Sequence, residues 1–323
     1  MLSINRVEAI NGCIRKPCIL CSQPSYVATT FSKRRIMDLY NKICAVTDSV
    51  HDEFYAFDLR HCGTCQLVFA DPLKAGSSAF YRWILGQANY YPGLRWEWSK
   101  IEEELRGLSS HDLVLDVGCG TGDFILYLIK SLAARLQGID QSTGSVTTCL
   151  AGGLDARVAT IDDLAADRTN HGVYAAVTMT HVLEHVPNPV ETMLAAKRLV
   201  RPGGRIFAST PYSPMASEME EFDPKNLPPH HLTRWRYRSY ETLGRLLGMK
   251  FSIHMPGISI TRTALTNTWR RFNGRKGVGR MRKIHNALIH PLYFTRALAW
   301  LRERDMIREQ RAANVILAVF QKS

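Results

Sequence analysis

Three closely spaced glycines separate a predicted strand from a predicted helix: Gly118, Gly120 and Gly122. The apolar residues 113–117 predict a buried strand, and residues 124–129 begin the helix. Glycines in such a turn let the backbone approach a ligand closely, and the N–H groups at the helix N-terminus face that ligand. The segment therefore predicts a cradle for a nucleotide-containing cofactor.

Aspartates flank this predicted cradle. Asp116 places a carboxylate at the end of the first strand, where it disfavours a pyrophosphate and suits an ammonium or a sulfonium. The next predicted strand, residues 135–139, delivers Asp140, which is placed to accept hydrogen bonds from a ribose diol. The dinucleotide fingerprint would have its third glycine at Asp123, so that cofactor class is disfavoured. A glycine turn without a ligand is the alternative, and the register of the aspartates argues against it.

The segment resembles the first motif of the class I S-adenosylmethionine (SAM) methyltransferases, which is D-x-G-x-G-x-G with an acidic residue ending the second strand. Asp116 begins the matching stretch, Gly122 ends it, and Asp140 is the acidic residue. The resemblance implies a doubly wound, Rossmann-like α/β sheet that binds SAM. It also implies a set of cofactor-binding residues: Asp116, Gly118, Cys119, Gly120, Gly122, Asp140, Gln141, Asp162, Asp163, Thr180 and His181.

The loop after the third predicted strand carries the candidates for adenine recognition. In similar enzymes an acidic residue and a backbone N–H recognise adenine there, and the candidates in this chain are Asp162 and Asp163. Thr160 stands where many relatives carry Asp, so the choice between the two aspartates stays open. A solvated acidic residue or a helix cap is the alternative interpretation.

Four cysteines form two C-x-x-C pairs: Cys18 with Cys21, and Cys62 with Cys65. Each pair can place two thiolates on one ion, and the two pairs together predict a tetrahedral structural zinc site. Redox chemistry is the alternative, but paired knuckles favour zinc. The N-terminus shows no basic start followed by an apolar core, so we expect a reducing, cytoplasmic setting in which disulfides are not favoured.

The cysteine pairs extend the resemblance to a bacterial subgroup of methyltransferases. In that subgroup a first C-x-x-C precedes a stretch similar to residues 60–72, then tyrosines similar to residues 90–93, and then the SAM-binding fold. Many members are associated with sugar, glycolipid or secondary-metabolite pathways, which implies a small-molecule or carbohydrate acceptor. The similarity covers about residues 15–255.

Histidines near the expected methyl donor are candidates for orienting or deprotonating the acceptor. His230 and His231 follow two prolines in a predicted loop, and His181 follows the fourth predicted strand. The ordinary pKa of histidine suits a base at neutral pH. We expect His231, or its neighbour His230, to orient or deprotonate the acceptor, and His181 to shape the cofactor site. A histidine that only caps or packs the loop is the alternative.

His181, Glu184 and His185 are spaced so that one helical turn would place them on a common face. Similar ubiquinone-pathway O-methyltransferases carry Glu-x-x-Glu-His at this place and can use a metal ion, but His181 replaces the first glutamate. We therefore favour a contact of His181 with cofactor or substrate, with Glu184 and His185 stabilising the turn. A metal site on this turn is the alternative.

The formal net charge of the chain is +12, and most of the excess lies in residues 260–311. The first interpretation is an ordinary helical appendage in which Leu292, Leu298 and Trp300 pack on the core and the arginines are solvated. Contact with an anionic membrane surface or a lipid-linked substrate ranks second. Nucleic acid ranks third, because no RNA-reading motif accompanies the charge.

These patterns predict an α/β protein with a zinc-ribbon-like module before the sheet and a helical insertion near the C-terminus. The predicted segments are a zinc-binding module (1–75), a helical linker or lid (76–110), the SAM-binding domain (111–259), the basic insertion (260–311) and the last strand (312–323). We expect methyl transfer from SAM to oxygen or carbon of a small-molecule, sugar or glycolipid acceptor, in the cytoplasm or at the inner membrane face. The alternatives are a SAM-fold binding or scaffold protein without catalysis, and an RNA methyltransferase.

Overall fold

The structure is a computed structural model, and it describes residues 15–87, 94–215, 218–219, 221–257, 259–273, 279–305 and 314–323. The strands are β1 (Lys16–Pro17), β2 (Pro24–Phe31), β3 (Phe57–Cys62), β4 (Val68–Asp71), β5 (Leu113–Val117), β6 (Arg135–Asp140), β7 (Ala156–Val158), β8 (Tyr174–Thr180), β9 (Val200–Pro211), β10 (Thr233–Arg234), β11 (Lys250–His254) and β12 (Val315–Gln321). The helices are α1 (Lys33–Asn41), α2 (Ser78–Leu85), α3 (Trp96–Leu105), α4 (Asp123–Leu128), α5 (Thr143–Ala151), α6 (Ile161–Ala166), α7 (Pro189–Leu199), α8 (Tyr237–Leu247), α9 (Ile260–Asn273), α10 (Arg280–Ile289) and α11 (Pro291–Asp305). Short 3-10 helices cover Asp48–Glu53, Arg168–Asn170 and Pro224–Asn226.

The larger sheet has the strand order β11-β12-β9-β8-β5-β6-β7. Strands β5 to β9 pair in parallel, whereas β12 is antiparallel to both β9 and β11. The chain leaves β5 toward β6 on one side and later returns to β8 on the other side. The connections after β5 and β8 therefore diverge and leave a crevice at the carboxyl ends of these strands, where ligands bind in such sheets. The predicted fold class is confirmed.

The smaller sheet joins the cysteine-rich segment to the rest of the chain. Its order is β1-β2-β3-β4-β10, and β10 comes from the region after β9. Thr233 of β10 pairs antiparallel with Phe69 of β4, directly after the predicted histidine loop. Phe69 also belongs to the apolar core of the larger sheet. The histidine loop is therefore held between the two sheets. The domain boundaries given from the sequence stay predictions.

Two helices precede the larger sheet, as the periodicity of residues 76–110 predicts. In α2, Phe80 and Ile84 are buried in an aromatic cluster of the N-terminal segment. In α3, Ile101 and Leu105 are buried against the larger sheet. The tyrosines of residues 90–93 lie outside the described residues.

The predicted insertion between β11 and β12 contains α9, α10 and α11. Leu298 and Trp300 pack against a small apolar cluster that includes Leu301, as expected. Leu292, in contrast, is 86% exposed, so the expectation that it packs on the core is wrong: it lies in the first turn of α11, on the solvent side. Among the described helices, none has both the length and the apolar character that a membrane crossing requires.

Candidate cofactor and acceptor site

The glycine turn after β5 adopts a conformation that side chains strongly disfavour. The φ angles of Gly118, Gly120 and Gly122 are 69°, 54° and 87°, in the left-handed region where glycine carries no steric penalty. A Cβ atom on Gly118 would also lie only 2.8 Å from Cγ2 of Val182, in the loop after β8. The amide of Gly118 donates to the carbonyl of Ile139 at 2.8 Å. The turn therefore lies tightly between the ends of β6 and β8.

Asp140 is fixed at the end of β6 by backbone donors. Its Oδ2 accepts a hydrogen bond from the amide of Gly120 at 3.0 Å, and its Oδ1 accepts one from the amide of Ser142 at 2.7 Å. The side chain is half-buried, and the following residue, Gln141, is exposed. Each carboxylate oxygen can accept more than one hydrogen bond. The geometry therefore leaves Asp140 able to accept hydrogen bonds from a diol beside the glycine turn.

Asp116 is a buried carboxyl group at the end of β5. Burial raises its pKa to about 7, the nearby charge of Asp140 acts in the same direction, and the hydrogen bond from Thr178 opposes both. The hydroxyl of Thr178 donates to Oδ1 of Asp116 at 2.7 Å. A cationic ligand group beside Asp116 would favour its ionised form. This environment fits the expected ammonium or sulfonium.

In the loop after β7, the two candidates for adenine recognition differ in their hydrogen bonding. The hydroxyl of Thr160 accepts from the amide of Asp163 at 3.1 Å, and Asp163 Oδ2 accepts from the amide of Thr160 at 2.8 Å. This reciprocal pair is a capping box at the start of α6. Asp162 lies outside the capping box and is exposed. Asp163 is thus engaged in a helix cap, and Asp162 is the better placed candidate for a ligand contact.

His181 lies directly after Thr180, the last residue of β8, and contacts two buried carboxylates. Its Nε2 is 3.0 Å from Oε1 of Glu97, and its Nδ1 is 3.1 Å from Oε1 of Glu184. Burial alone would lower the pKa of His181, but the hydrogen bonds to Glu184 and Glu97 outweigh it and raise the pKa above the usual value. Oε2 of Glu184 is buried and has no hydrogen-bond partner among the described residues. This group therefore combines an imidazole whose protonated form is favoured by two carboxylates with an unsatisfied carboxylate oxygen.

The helical turn expected for residues 181–185 does not form. His181 has a φ of 57°, which is incompatible with the start of a right-handed helix, and α7 begins at Pro189. As a result His181 and Glu184 contact each other, whereas the ring of His185 points to His230 and His231, with centroids 4.8 and 4.6 Å away. The three side chains expected on one face are divided between two neighbouring groups.

The loop with His230 and His231 is bound to the turn after β8. The amide of Leu232 donates to the carbonyl of Glu184 at 2.7 Å. Burial lowers the pKa of both His230 and His231 well below the usual value, and the neighbouring histidine rings lower it further. The structure thus brings His230 and His231 beside the turn that carries His181, but as buried neutral rings rather than with the ordinary pKa assumed from sequence.

The four cysteine thiols of the two C-x-x-C pairs meet at one point. Sγ of Cys18 lies 3.5 Å from Sγ of Cys65, and Sγ of Cys21 lies 3.5 Å from Sγ of Cys62. All four sulfur atoms lie within 4.8 Å of one another. Zinc–sulfur bonds of about 2.3 Å in a tetrahedron place the sulfur atoms about 3.8 Å apart. The thiol positions therefore fit one tetrahedral ion.

Comparison with known proteins agrees with this architecture. A family model described as a methyltransferase domain matches residues 95–272, which is more than half of the chain. The chain belongs to this methyltransferase domain family. The match begins just before α3 and ends within α9, so it includes the glycine turn, His181 and the histidine loop.

Curated relatives of this methyltransferase domain include ubiquinone biosynthesis O-methyltransferases. The protein of that name from Xanthomonas oryzae pv. oryzae (strain PXO99A) is 41% identical over 103 residues, which are 30% of this chain and 42% of the relative. The one from Paraburkholderia xenovorans (strain LB400) is 35% identical over 153 residues, which are 44% of this chain and 63% of the relative. The chain thus spans about half the length of the curated relatives that it matches.

Solved structures similar to the methyltransferase domain include phosphoethanolamine N-methyltransferase 2 from Haemonchus contortus in complex with S-adenosyl-L-methionine. The sequence identity is 13%, the TM-score is 0.49, and the similarity covers 75% of this chain and 56% of that chain.

Sequence reasoning missed two residues of the candidate site. Glu97 carried a detectable signal, because it is spaced four and eight residues before Ile101 and Leu105 and so lies on the buried face of α3. A carboxylate on an apolar helix face indicates a buried partner. Thr178, which binds Asp116, lies within an apolar strand and gave no comparable signal.

Proposed function

We propose that this protein transfers a methyl group from SAM to a small-molecule acceptor. The observation that carries the proposal is the connection between the glycine turn and Asp140, in which the amide of Gly120 binds the carboxylate at the end of the neighbouring strand. Ribose hydroxyls beside this carboxylate and a cationic group beside Asp116 would both find suitable partners. When bound, SAM supplies a methyl group on a cationic sulfur, and the protein has to align the acceptor and exclude water.

The acceptor atom that we propose is an oxygen. The relatives named for ubiquinone biosynthesis are O-methyltransferases, and this similarity supports a hydroxyl of a small molecule. A sugar or glycolipid hydroxyl is the second candidate, since the cysteine-rich segment resembles a subgroup associated with such substrates.

We propose that His230 and His231 contact the acceptor and that His181 lines the cofactor pocket. Nδ1 of His231 donates to Oδ1 of Asn226, which leaves the lone pair of the ring on Nε2. A neutral ring of this kind accepts a hydrogen bond and so orients a hydroxyl. The unsatisfied Oε2 of Glu184, beside His181, supports a ligand group at the same turn.

Calorimetric titration of the purified protein with SAM tests the cofactor part of the proposal. We expect 1:1 binding, and we expect Asp140→Ala to weaken it about tenfold or more, because a hydrogen bond to a charged group contributes about 1.5–3 kcal/mol. Asp155→Ala is the matched control, since Asp155 is an exposed aspartate directly before β7, the strand that pairs with β6. Absence of SAM binding by well-folded protein would overturn the proposed function.

A structural zinc ion on the four cysteines is part of the proposal. The support is the common meeting point of the thiols and the repeated knuckle geometry, in which the residue after each second cysteine, Ser22 and Gln66, has a φ near 60°. Two similar knuckles facing each other are typical of zinc sites rather than of redox pairs.

Contact with an anionic membrane surface from the cytoplasmic side completes the proposal. Large apolar side chains of α10 and the start of α11 are exposed: Met281, Leu288, Ile289 and Leu292. Arg280 and Arg282 lie beside them in sequence and are also exposed. Apolar side chains next to arginines are suited to the headgroup region of an anionic bilayer, where a lipid-linked acceptor would be presented.

A further inference from the structure

Three histidine rings form a second compact group of possible metal ligands: His185, His230 and His231. One ring nitrogen from each lies within 4.8 Å of the others. The ring centroids of His230 and His231 are 4.3 Å apart, and both residues are buried, with exposures of 3% and 8%. Within the described part of the chain, the four cysteines are the other group of this kind.

Each of these rings uses Nδ1 in a hydrogen bond to a carbonyl oxygen. Nδ1 of His185 lies 2.7 Å from the carbonyl oxygen of His230, and Nδ1 of His230 lies 2.7 Å from that of Lys225. Nδ1 of His231 lies 3.0 Å from the side-chain carbonyl of Asn226. A carbonyl oxygen only accepts, so Nδ1 carries the proton in all three rings and Nε2 carries the lone pair. Metal-binding histidines are held in this way, with the other ring N–H donated to a carbonyl or carboxylate.

The amide of Asn226 is itself oriented by a buried ion pair. Its Nδ2 donates to Oε1 of Glu218 at 3.3 Å, and Glu218 binds Arg234 at 2.6 Å. Because a carboxylate only accepts, Nδ2 must face Glu218 and Oδ1 must face His231. Oδ1 of Asn226 therefore accepts a hydrogen bond from Nδ1 of His231, and this contact keeps the proton of the neutral ring on Nδ1.

We propose that His185, His230 and His231 bind one divalent transition-metal ion through Nε2. Three imidazoles without a carboxylate suit zinc, iron, nickel or copper rather than magnesium or calcium. Zinc–nitrogen bonds of about 2.1 Å in a tetrahedron place the nitrogens about 3.4 Å apart. One ring nitrogen of each of the three residues already lies within 4.8 Å of the others, so an ion draws the nitrogens closer and turns His230 and His231 out of their nearly parallel stacking.

The proposed site differs from a Glu-x-x-Glu-His site on one turn. His181 and Glu184 are engaged with each other, and His181 also contacts Glu97. His185 instead finds its partners on the loop after β9. Three protein ligands leave a fourth position, which suits an oxygen of a bound molecule. This role for the fourth position rests on the proposed function, whereas metal binding itself does not.

Calorimetric titration with ZnSO₄ tests the site in full-length protein whose four-cysteine site is already filled. We expect one further equivalent of zinc to bind with a Kd in the micromolar range or below. The wild-type result is decisive by itself, because absence of a further equivalent overturns the proposal without any variant.

Variants locate the ion. We expect His231→Ala to lose the further equivalent, and Asn226→Ala to weaken it about 10–100-fold, as loss of an outer hydrogen bond to a ligand does. His111→Ala, which removes an exposed histidine, should leave it unchanged. A further equivalent that persists in folded His231→Ala protein overturns the assignment. SAM titration of the same samples reports separately on the proposed function, so the two failures are distinguishable.

Discussion

Oε1 of Glu97 in α3 lies 3.0 Å from Nε2 of His181 at the end of β8, and the glutamate is only 1% exposed. Burial alone would raise the pKa of Glu97, but the hydrogen bond from His181 outweighs it and lowers the pKa. The contact thus couples the helix before the sheet to the turn that carries the predicted cofactor residues.

Glu97→Gln should destabilise the fold by about 3–5 kcal/mol near pH 6, because it leaves a buried charged imidazole without one of its partners. The folded-state pKa of His181 is raised, so its stabilising charge is present below pH 6.5 and is lost as the pH rises through the folded pKa. The difference from wild type should therefore shrink at pH 9. Urea denaturation at both pH values measures it.

Glu103→Gln is the matched control for this experiment, since Glu103 is an exposed residue of the same helix that pairs with Lys100. We expect little change in the free energy of unfolding at either pH. An equal loss for both variants, or a Glu97→Gln loss that grows toward pH 9, would contradict the coupling between Glu97 and His181.

Sequence patterns predicted the parts of the site whose residues lie close together in the chain. The strand, the glycine turn and Asp140 follow one another closely, and the conformation of Gly118, Gly120 and Gly122 follows from the residue type. The histidine groups were not predictable in the same way, because a left-handed φ at His181 decides which way Glu184 and His185 point. The spacing of the side chains does not reveal such a backbone conformation at a non-glycine residue.

SAM affinity should rise between pH 6 and pH 8. Asp116 has a pKa of about 7 because it is buried, so its ionised form, which attracts a cationic ligand, becomes populated over this range. Asp116→Asn should bind SAM more weakly at pH 8 and lose this part of the pH dependence. Calorimetry of both proteins at matched pH cancels the titration of SAM itself. Identical pH profiles for wild type and variant would show that Asp116 does not respond to the ligand charge.

Cys62→Ser should lower the zinc content and the Tm, because the remaining thiolates cannot complete a tetrahedral site. Elemental analysis and thermal unfolding measure the two effects. Cys44→Ser is the control, since Cys44 is half-buried and lies outside the four-cysteine group. An unchanged Tm after zinc is removed by a chelator would contradict the structural role that we propose for the ion.

Leu292→Glu should reduce binding to vesicles that contain anionic lipid. The substitution places a charge in the exposed apolar side chains of α10 and α11 and repels anionic headgroups. Leu246→Glu is the control, because Leu246 is 52% exposed on α8, outside the insertion. Co-sedimentation with anionic and with neutral vesicles measures the difference. Equal binding of the two variants would show that this surface does not contact the bilayer.

The double variant His230→Ala/His231→Ala should lower turnover about 10²–10⁴-fold once an acceptor is known, and leave SAM affinity nearly unchanged. His181→Ala should lower both, since His181 lies directly after β8 beside the glycine turn. Steady-state kinetics and SAM calorimetry separate these effects. Normal turnover of the double variant would mean that positioning by other residues carries the reaction.

Metal removal, compared with the double variant, separates two ways in which the rings act on the acceptor. If His231 contacts the hydroxyl directly, metal-free protein should turn over normally. If the rings act through the proposed ion, removal of the weaker-bound metal should lower turnover as far as the double substitution does, and added zinc should restore it only in the wild type. Both modes use Nε2 of His231, because its Nδ1 faces Oδ1 of Asn226. The metal site inferred above predicts the second result, in which the ion and not the ring contacts the hydroxyl, and the first result would keep the direct contact of the ring.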